Sequence, residues 1–270
     1  MNTAYIEQKA NDIRKDVIRS VYLAKSGHPG GSLSAAEIFA ALYFHEMNIN
    51  PENPKDPKRD RFVLSKGHCA PAYYAALAER GYFPKEELDQ LRQYGAMLQG
   101  HPDMKHIPGV DMTTGSLGQG VSAAAGMAYG LKLQNNPAHV YALLGDGELQ
   151  EGQVWEAAMF AGAKGLNNLT LIVDNNNLQI DGSIDEVNSP YPIDAKFKAF
   201  NFTVEVVDGN DAGSVIHGFE VLKSKPEKPC VLIAKTTKGK GVSFMENVAG
   251  WHGKAPNEEQ MRQALKELEN

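Results

Sequence analysis

Two short stretches of this sequence bring together residues able to hold a hard metal ion and phosphate oxygens. One is Gly145-Asp146-Gly147, and the other is the asparagine run Asn175-Asn176-Asn177 that follows Asp174. Asp146 supplies a carboxylate and Asn176 an amide oxygen. Irregular backbone just beyond Asn176 is expected to expose the Leu178 carbonyl as a third oxygen. Three protein oxygens that leave room for phosphate and water suit Mg²⁺, which is octahedral and commonly shared between carboxylate and substrate phosphates. The glycines flanking Asp146 let the backbone turn sharply and approach a ligand closely. Four histidines form a second set: His28, His68, His101 and His252 each stand beside glycine or proline. A loop histidine is most often simply solvated. A neutral imidazole can also give and take a proton near neutral pH, which suits a path that both takes and returns protons.

The elements that must position these residues are legible around them. Val140–Leu144 and Leu169–Val173 are short aliphatic runs without polar alternation, as expected of parallel strands buried on both faces. A helix predicted over Gln150–Lys164 makes the unit βαβ, a crossover that is right-handed in nearly all cases. Asp146 and Asn176 then stand at neighbouring carboxyl ends, where open α/β sheets bind ligands. The helix after Gly147 is expected to aim its amino end at the phosphates.

Upstream, Thr3–Lys25 has the spacing of an amphipathic helix, and Ser26-Gly27-His28-Pro29-Gly30-Gly31-Ser32 is a tight loop in which Pro29 keeps His28 out of the helical region. Further helices are expected over Ser34–His45, Ala70–Gly81, Pro84–Tyr94 and Val121–Leu133, with a strand at Arg61–Ser65. Downstream come a strand Phe202–Val207, a helix Ala212–Lys223, a strand Cys230–Thr236 and a charged helix Asn257–Glu269. The pattern predicts one domain over residues 1–270: an α/β fold with a doubly wound, mainly parallel sheet of about five strands and helices on both faces.

Composition narrows the function. The 270 residues suffice for one sizeable α/β domain, and a net charge of −6 without a basic stripe argues against a nucleic-acid partner. The two cysteines, Cys69 and Cys230, form no CxxC pair and imply no zinc site. No signal-peptide pattern opens the chain, and no run approaches the ~18 apolar residues of a membrane helix, so a soluble, cytoplasmic protein is expected. Gly115-Ser116-Leu117-Gly118-Gln119-Gly120 has the order GxxGxG with no strand leading into it, which excludes dinucleotide binding, and the sequence lacks a P-loop.

GDG followed about thirty residues later by an asparagine pair resembles the diphosphate and metal motif of thiamine diphosphate enzymes. GDGELQEGQVWEAA, DNNNLQIDG, SGHPGG, LSKGH, GHPD and WHGKAP are similar to the transketolase family in particular, over most of the chain from Lys25 to Pro256. The resemblance implies the cofactors thiamine diphosphate and Mg²⁺, for which Ca²⁺ or Mn²⁺ could substitute. Asp146, Asn176 and the Leu178 carbonyl would hold the metal. Gly147, Glu148, His68 and Lys238 would face the cofactor diphosphate, and Gly115, Ser116 and Leu117 would line the pocket for its rings. His28 and His101 would bond the ketose oxygens, and His252 would lie between diphosphate and substrate. Glu151 would join a carboxylate network linking two active sites.

A full transketolase carries a further domain that grips the aminopyrimidine and supplies the glutamate that protonates it. The sequence shows no such second sheet domain before its end at Asn270. The resemblance therefore implies a split enzyme of the pentose phosphate pathway. Its partner would be a carboxy-terminal, pyrimidine-binding subunit, in an α2β2 heterotetramer acting on sugar phosphates. Two other readings remain open at this point. One is a subunit of another thiamine diphosphate enzyme, either deoxyxylulose phosphate synthase-like or the α subunit of a 2-oxo acid dehydrogenase. The other is a non-catalytic cofactor-binding module.

Overall fold

In the computed structural model, residues 3–225 and 227–269 are described. The helices are α1 (Thr3–Ala24), α2 (Pro29–Ser34), α3 (Ala36–Ala41), α4 (Ala70–Arg80), α5 (Gln119–Leu133), α6 (Gly152–Lys164), α7 (Ile184–Asn188), α8 (Ile193–Ala199), α9 (Ala212–Lys223) and α10 (Glu258–Glu267). The strands are β1 (Arg61–Leu64), β2 (Val140–Gly145), β3 (Leu169–Asn175), β4 (Leu178–Gln179), β5 (Gly182–Ser183), β6 (Thr203–Asp208) and β7 (Cys230–Lys235).

Five strands form one sheet in the order β1-β2-β3-β7-β6, and every neighbouring pair in it is parallel. All five carboxyl ends therefore share one edge. Along the central strands, successive side chains feed opposite cores, as the two-residue period of a strand requires. Leu143, Ile172 and Leu232 join the cluster built with α1, α3, α4 and α9. Ala142, Leu144, Leu171, Val173, Val231 and Ile233 join the cluster built with α5, α6 and α8. This is the mainly parallel sheet with helices on both faces that the aliphatic runs predicted. No helix among the described residues is long and apolar enough to cross a membrane.

Three expected helices are interrupted. Over Ser34–His45 the chain breaks step at Ala35, which lets the Ser34 hydroxyl reach the Asp174 carboxylate at 2.6 Å; α3 then widens into a π-helical turn, Leu42–Glu46. Pro84–Tyr94 shrinks to a 3₁₀ segment, Lys85–Gln90, because Leu91 is extended and Arg92 is left-handed. Gln150–Lys164 is divided: a 3₁₀ turn, Gly147–Gln150, follows Asp146, Glu151 is extended, and α6 begins at Gly152. The break turns the Glu148 side chain inward.

Gly162 shows how closely the outer layer packs. A Cβ there would lie 1.9 Å from the Phe200 carbonyl oxygen. In an exposed helix, glycine to alanine stabilises by about 1 kcal/mol. Here the sign reverses: Gly162→Ala is expected to destabilise the chain by roughly 1–3 kcal/mol through overpacking, read as a lower urea midpoint at unchanged slope.

Candidate active site

Four of the five parallel strands deliver chemistry to the shared carboxyl edge. β1 runs into Lys66 and His68, β2 into Asp146, β3 into Asn176, and β7 into Lys238. The register sets Gly145 opposite Asp174, so Asp146 and Asn176 follow on adjacent strands, as the βαβ reading required. Between them opens a cavity of about 330 Å³. His28, His68, Gly115, Leu117, Asp146, Gly147, Glu148, Glu151, Asn176, Leu178, Lys238 and His252 all line it. Ser116 and His101 do not; both are exposed just outside.

The histidines converge although they are far apart in sequence. The His28 ring lies 5.5 Å from that of His68, 5.4 Å from His252 and 6.3 Å from His101, and His68 lies 5.0 Å from His252. Pro29 keeps His28 out of the helical region, at φ −120° and ψ 82°, just before α2. Close backbone contacts assemble the loops. A Cβ on Gly30 would come within 2.9 Å of the Trp251 carbonyl oxygen, which sets His252 against His28. A Cβ on Gly67 would come within 2.8 Å of the Gly115 nitrogen, so the His68 turn and the Gly115 loop meet with no side chain between them.

The imidazoles are held neutral. Burial, and then the charges of Arg92, His101 and Lys238, push His28 down to about 4. Burial, then Lys238, His28 and Lys66, push His252 down to about 3. Burial and Lys66 hold His68 well below the ordinary imidazole value, and burial followed by Arg92 lowers His101.

Asp146 is 2% exposed, and among the described residues it has no ion-pair partner. It accepts from the Gly147 nitrogen at 2.8 Å, the Asn177 nitrogen at 2.6 Å and Asn175 Nδ2 at 3.0 Å. Burial and the neighbouring Asp174 nevertheless raise it to about 6. Lys66 and Lys238 act on it only from beyond ion-pair distance, so the carboxylate can still take a metal cation. No cluster of three or more His, Cys, Asp or Glu that could hold a metal occurs among the described residues. The donors available are instead one carboxylate, the Asn176 amide oxygen and a main-chain carbonyl. That hard oxygen set, to be completed by phosphate and water, fits Mg²⁺, Ca²⁺ or Mn²⁺.

The surroundings of the three oxygens depart from expectation at Leu178. It lies in the small antiparallel β4–β5 hairpin and not in irregular backbone. Its carbonyl accepts from Lys238 Nζ at 2.9 Å, and the same ammonium lies 3.1 Å from His252 Nδ1. Lys238 is 2% exposed, and burial and Lys66 lower it to about 8.

Two residues to which the sequence alone assigns no role hold the edge together. Lys66 and Asp174 are 1% and 0% exposed and form a buried ion pair. Asp174 also accepts from the Ser34 and Thr236 hydroxyls and, at 3.2 Å, from Asn176 Nδ2, which turns the Asn176 oxygen the other way. Burial pushes the Asp174 carboxyl up, but Lys66 outweighs it and holds the group below its usual range.

Glu148 lines the cavity, yet its oxygens are used inward. They accept from the Ser65 hydroxyl and from the nitrogens of Gly118 and Gly145, at 2.5, 2.9 and 3.1 Å. It is a brace between β1, β2 and the start of α5. Glu151 is exposed at the rim, at the extended junction before α6 and not within a first helical turn.

A family model described as "Transketolase, thiamine diphosphate binding domain" matches residues 6–269. The chain is 47% identical over 264 residues to the 6-deoxy-6-sulfo-D-fructose transketolase subunit SqwG of Clostridium sp. (strain MSTE9), covering 98% of this chain and 96% of that one. It is 41% identical over 268 residues to an apulose-4-phosphate transketolase subunit of Phocaeicola vulgatus, covering 99% and 95%. The crystal structure of transketolase from Campylobacter jejuni superposes with a TM-score of 0.93 at 35% identity; the match covers all of this chain but only 43% of that longer one. A parallel sheet whose carboxyl edge carries these oxygens and imidazoles, matched along nearly its whole length, belongs to the transketolase family, as its thiamine diphosphate binding domain.

Proposed function

We propose that this chain is the diphosphate-binding subunit of a two-chain transketolase, moving a two-carbon ketol unit from a ketose phosphate to an aldose phosphate. The observation that carries this reading is the meeting, at one sheet edge, of the Asp146–Asn176 oxygens with the imidazoles of His28, His68 and His252. Asp146, Asn176 and the Leu178 carbonyl would hold Mg²⁺. Gly147, His68 and Lys238 would meet the diphosphate, and Gly115, Ser116 and Leu117 would flank the rings. Bound there, thiamine diphosphate supplies the nucleophilic carbon and accepts the electron pair released when the ketose carbon–carbon bond breaks. His28 and His101 would donate N–H hydrogen bonds to the ketose hydroxyl and carbonyl oxygens, while His252 orders the space between substrate and diphosphate. Glu148, which lines the same cavity, would support the Gly118 turn beside the cofactor. Glu151 is free at the rim to join carboxylates across a subunit boundary.

Residues 1–270 act as one domain in this reading, and the remaining catalytic groups come from a pyrimidine-binding partner in an α2β2 assembly in the cytoplasm. Two relatives of matching length bear the word subunit in their names, which supports a separate partner. The test is co-expression with a candidate partner chain, followed by a two-carbon transfer assay. Ketose phosphates, a 6-sulfo ketose and pyruvate would be offered as donors. Ketol transfer from a sugar supports the proposal; turnover of pyruvate alone, or cofactor binding with no transfer from any donor, overturns it.

His28→Ala in that complex is expected to lower kcat by about 100-fold, the usual scale of a lost hydrogen-bond donor to an oxygen that gains charge. Thiamine diphosphate affinity should stay within about threefold of wild type, because that loss is confined to the transition state. Weak cofactor binding with normal turnover at saturation would contradict the role given to His28.

A further inference from the structure

Arg92 stands outside the motifs that carry the family resemblance, yet it sits against two of the histidine loops. Its backbone is left-handed, at φ 60°, a conformation that is costly for a long side chain and that points to a functional constraint. Its nitrogen is held to the Leu98 carbonyl at 2.9 Å, so the strained turn is fixed in place. The guanidinium then fans out over three neutral groups. Nη1 donates to the Ser26 hydroxyl at 2.8 Å, and Nη2 donates to the Gly100 carbonyl at 3.3 Å and faces His28 Nδ1 at 3.5 Å. A Cβ on Gly100 would come within 3.2 Å of the guanidinium, so any side chain there would displace it by a few tenths of an ångström. Among the described residues no carboxylate forms an ion pair with Arg92, and its whole charge is directed at this junction.

We propose that Arg92 is a positioning residue that sets the tautomer of His28 and ties the Ser26–His28 loop to the Gly100–His101 loop. A guanidinium has donors and no acceptor. The ring nitrogen that faces it is therefore the bare one, and the proton of neutral His28 belongs on Nε2. Nε2 lies on the side of the His252 loop, 3.6 Å from where a Gly253 side chain would begin. His28 thus offers its N–H on the side of the His252 loop, away from Arg92. The groups facing it from the surrounding loops are Arg92, His101, His68, His252 and Lys238. None of them is an anion, so nothing here stabilises an imidazolium. The proposal rests on the role given to His28 above and adds what orients it.

The test uses the full chain with ¹⁵N-labelled histidine and long-range proton–nitrogen NMR, His28 being assigned by comparison with His28→Gln. Wild type is expected to show the Nε2–H tautomer at pH 7 and to titrate near 4. Arg92→Met should give a tautomer mixture and a His28 proton affinity raised by about tenfold or more. Arg92→Lys retains the charge without the planar fork, so it should keep the low titration but release the tautomer. An Nδ1–H tautomer in wild type overturns the proposal. So does an unchanged His28 spectrum and midpoint in Arg92→Met or, if that variant fails to fold, an unchanged tautomer in Arg92→Lys. Neither sugar, cofactor nor partner is needed. A negative result here is therefore distinct from a failure of the ketol-transfer reading.

Discussion

Asp146→Asn is expected to bind thiamine diphosphate at least about 100-fold more weakly than wild type when Mg²⁺ is present, since even outer-shell changes at metal sites cost 10–100-fold. The substitution keeps the shape of the side chain and removes the one carboxylate among the three proposed metal oxygens. Asp146 is 2% exposed and without an ion-pair partner among the described residues, so its charge is available to the metal. Isothermal titration with and without EDTA isolates the effect. In EDTA the two proteins should bind the cofactor equally weakly, because the lost term runs through the ion. If Mg²⁺ improves binding by the same factor in both, Asp146 is not a metal ligand and the site must be reassigned. The amide nitrogen would also face the donors of Asn175 and Asn177, so urea unfolding of the ligand-free chains is needed to correct for any loss of stability.

The second large effect lies one residue pair deeper. Asp174→Asn is expected to cost about 3–5 kcal/mol of stability, because it leaves the Lys66 ammonium buried without its counter-charge. Lys66 and Asp174 are 1% and 0% exposed, so water cannot take the place of the missing partner. Lys66→Met should cost a comparable amount, and the double variant Lys66→Met/Asp174→Leu should cost less than the sum of the two single changes. It will not return to wild type, because Ser34, Thr236 and Asn176 also donate to Asp174. Strict additivity of the two single substitutions in urea unfolding would show that the pair is not coupled. Asn176 adds a functional component. With the charged acceptor of its Nδ2 gone, its amide is held chiefly by the Leu178 nitrogen, which donates to Oδ1 at 3.1 Å, and Mg²⁺ affinity should fall by about tenfold in Asp174→Asn.

The βαβ unit was legible because its signals are local. Val140–Leu144 and Leu169–Val173 lack alternation and stop at turn-forming residues, and the structure pairs them in register with Asp146 and Asn176 beyond their ends. Helix α9 has the predicted bounds, Ala212–Lys223, for the same reason. What escaped was long-range. Lys66 and Asp174 are 108 residues apart, and no window of sequence contains both. Glu148 reads as a ligand-facing carboxylate beside GDG, but Ser65, 83 residues away, and Gly118, 30 residues away, use its oxygens. Arg92 lies in a stretch with helical composition, and only tertiary contacts show that its backbone is left-handed. The interruption before α6 was hidden in the same way, since the pull on Glu148 comes from outside the segment.

The glycine contact between positions 67 and 115 joins two walls that would otherwise be independent. With the Gly115 nitrogen only 2.8 Å from where a Gly67 side chain would start, the turn presenting His68 and the loop flanking the proposed ring pocket lie backbone to backbone, with no room for a side chain between them. Any side chain at position 67 would therefore push these two walls apart, and both the charged and the aromatic half of the proposed ligand would lose a bounding surface at once.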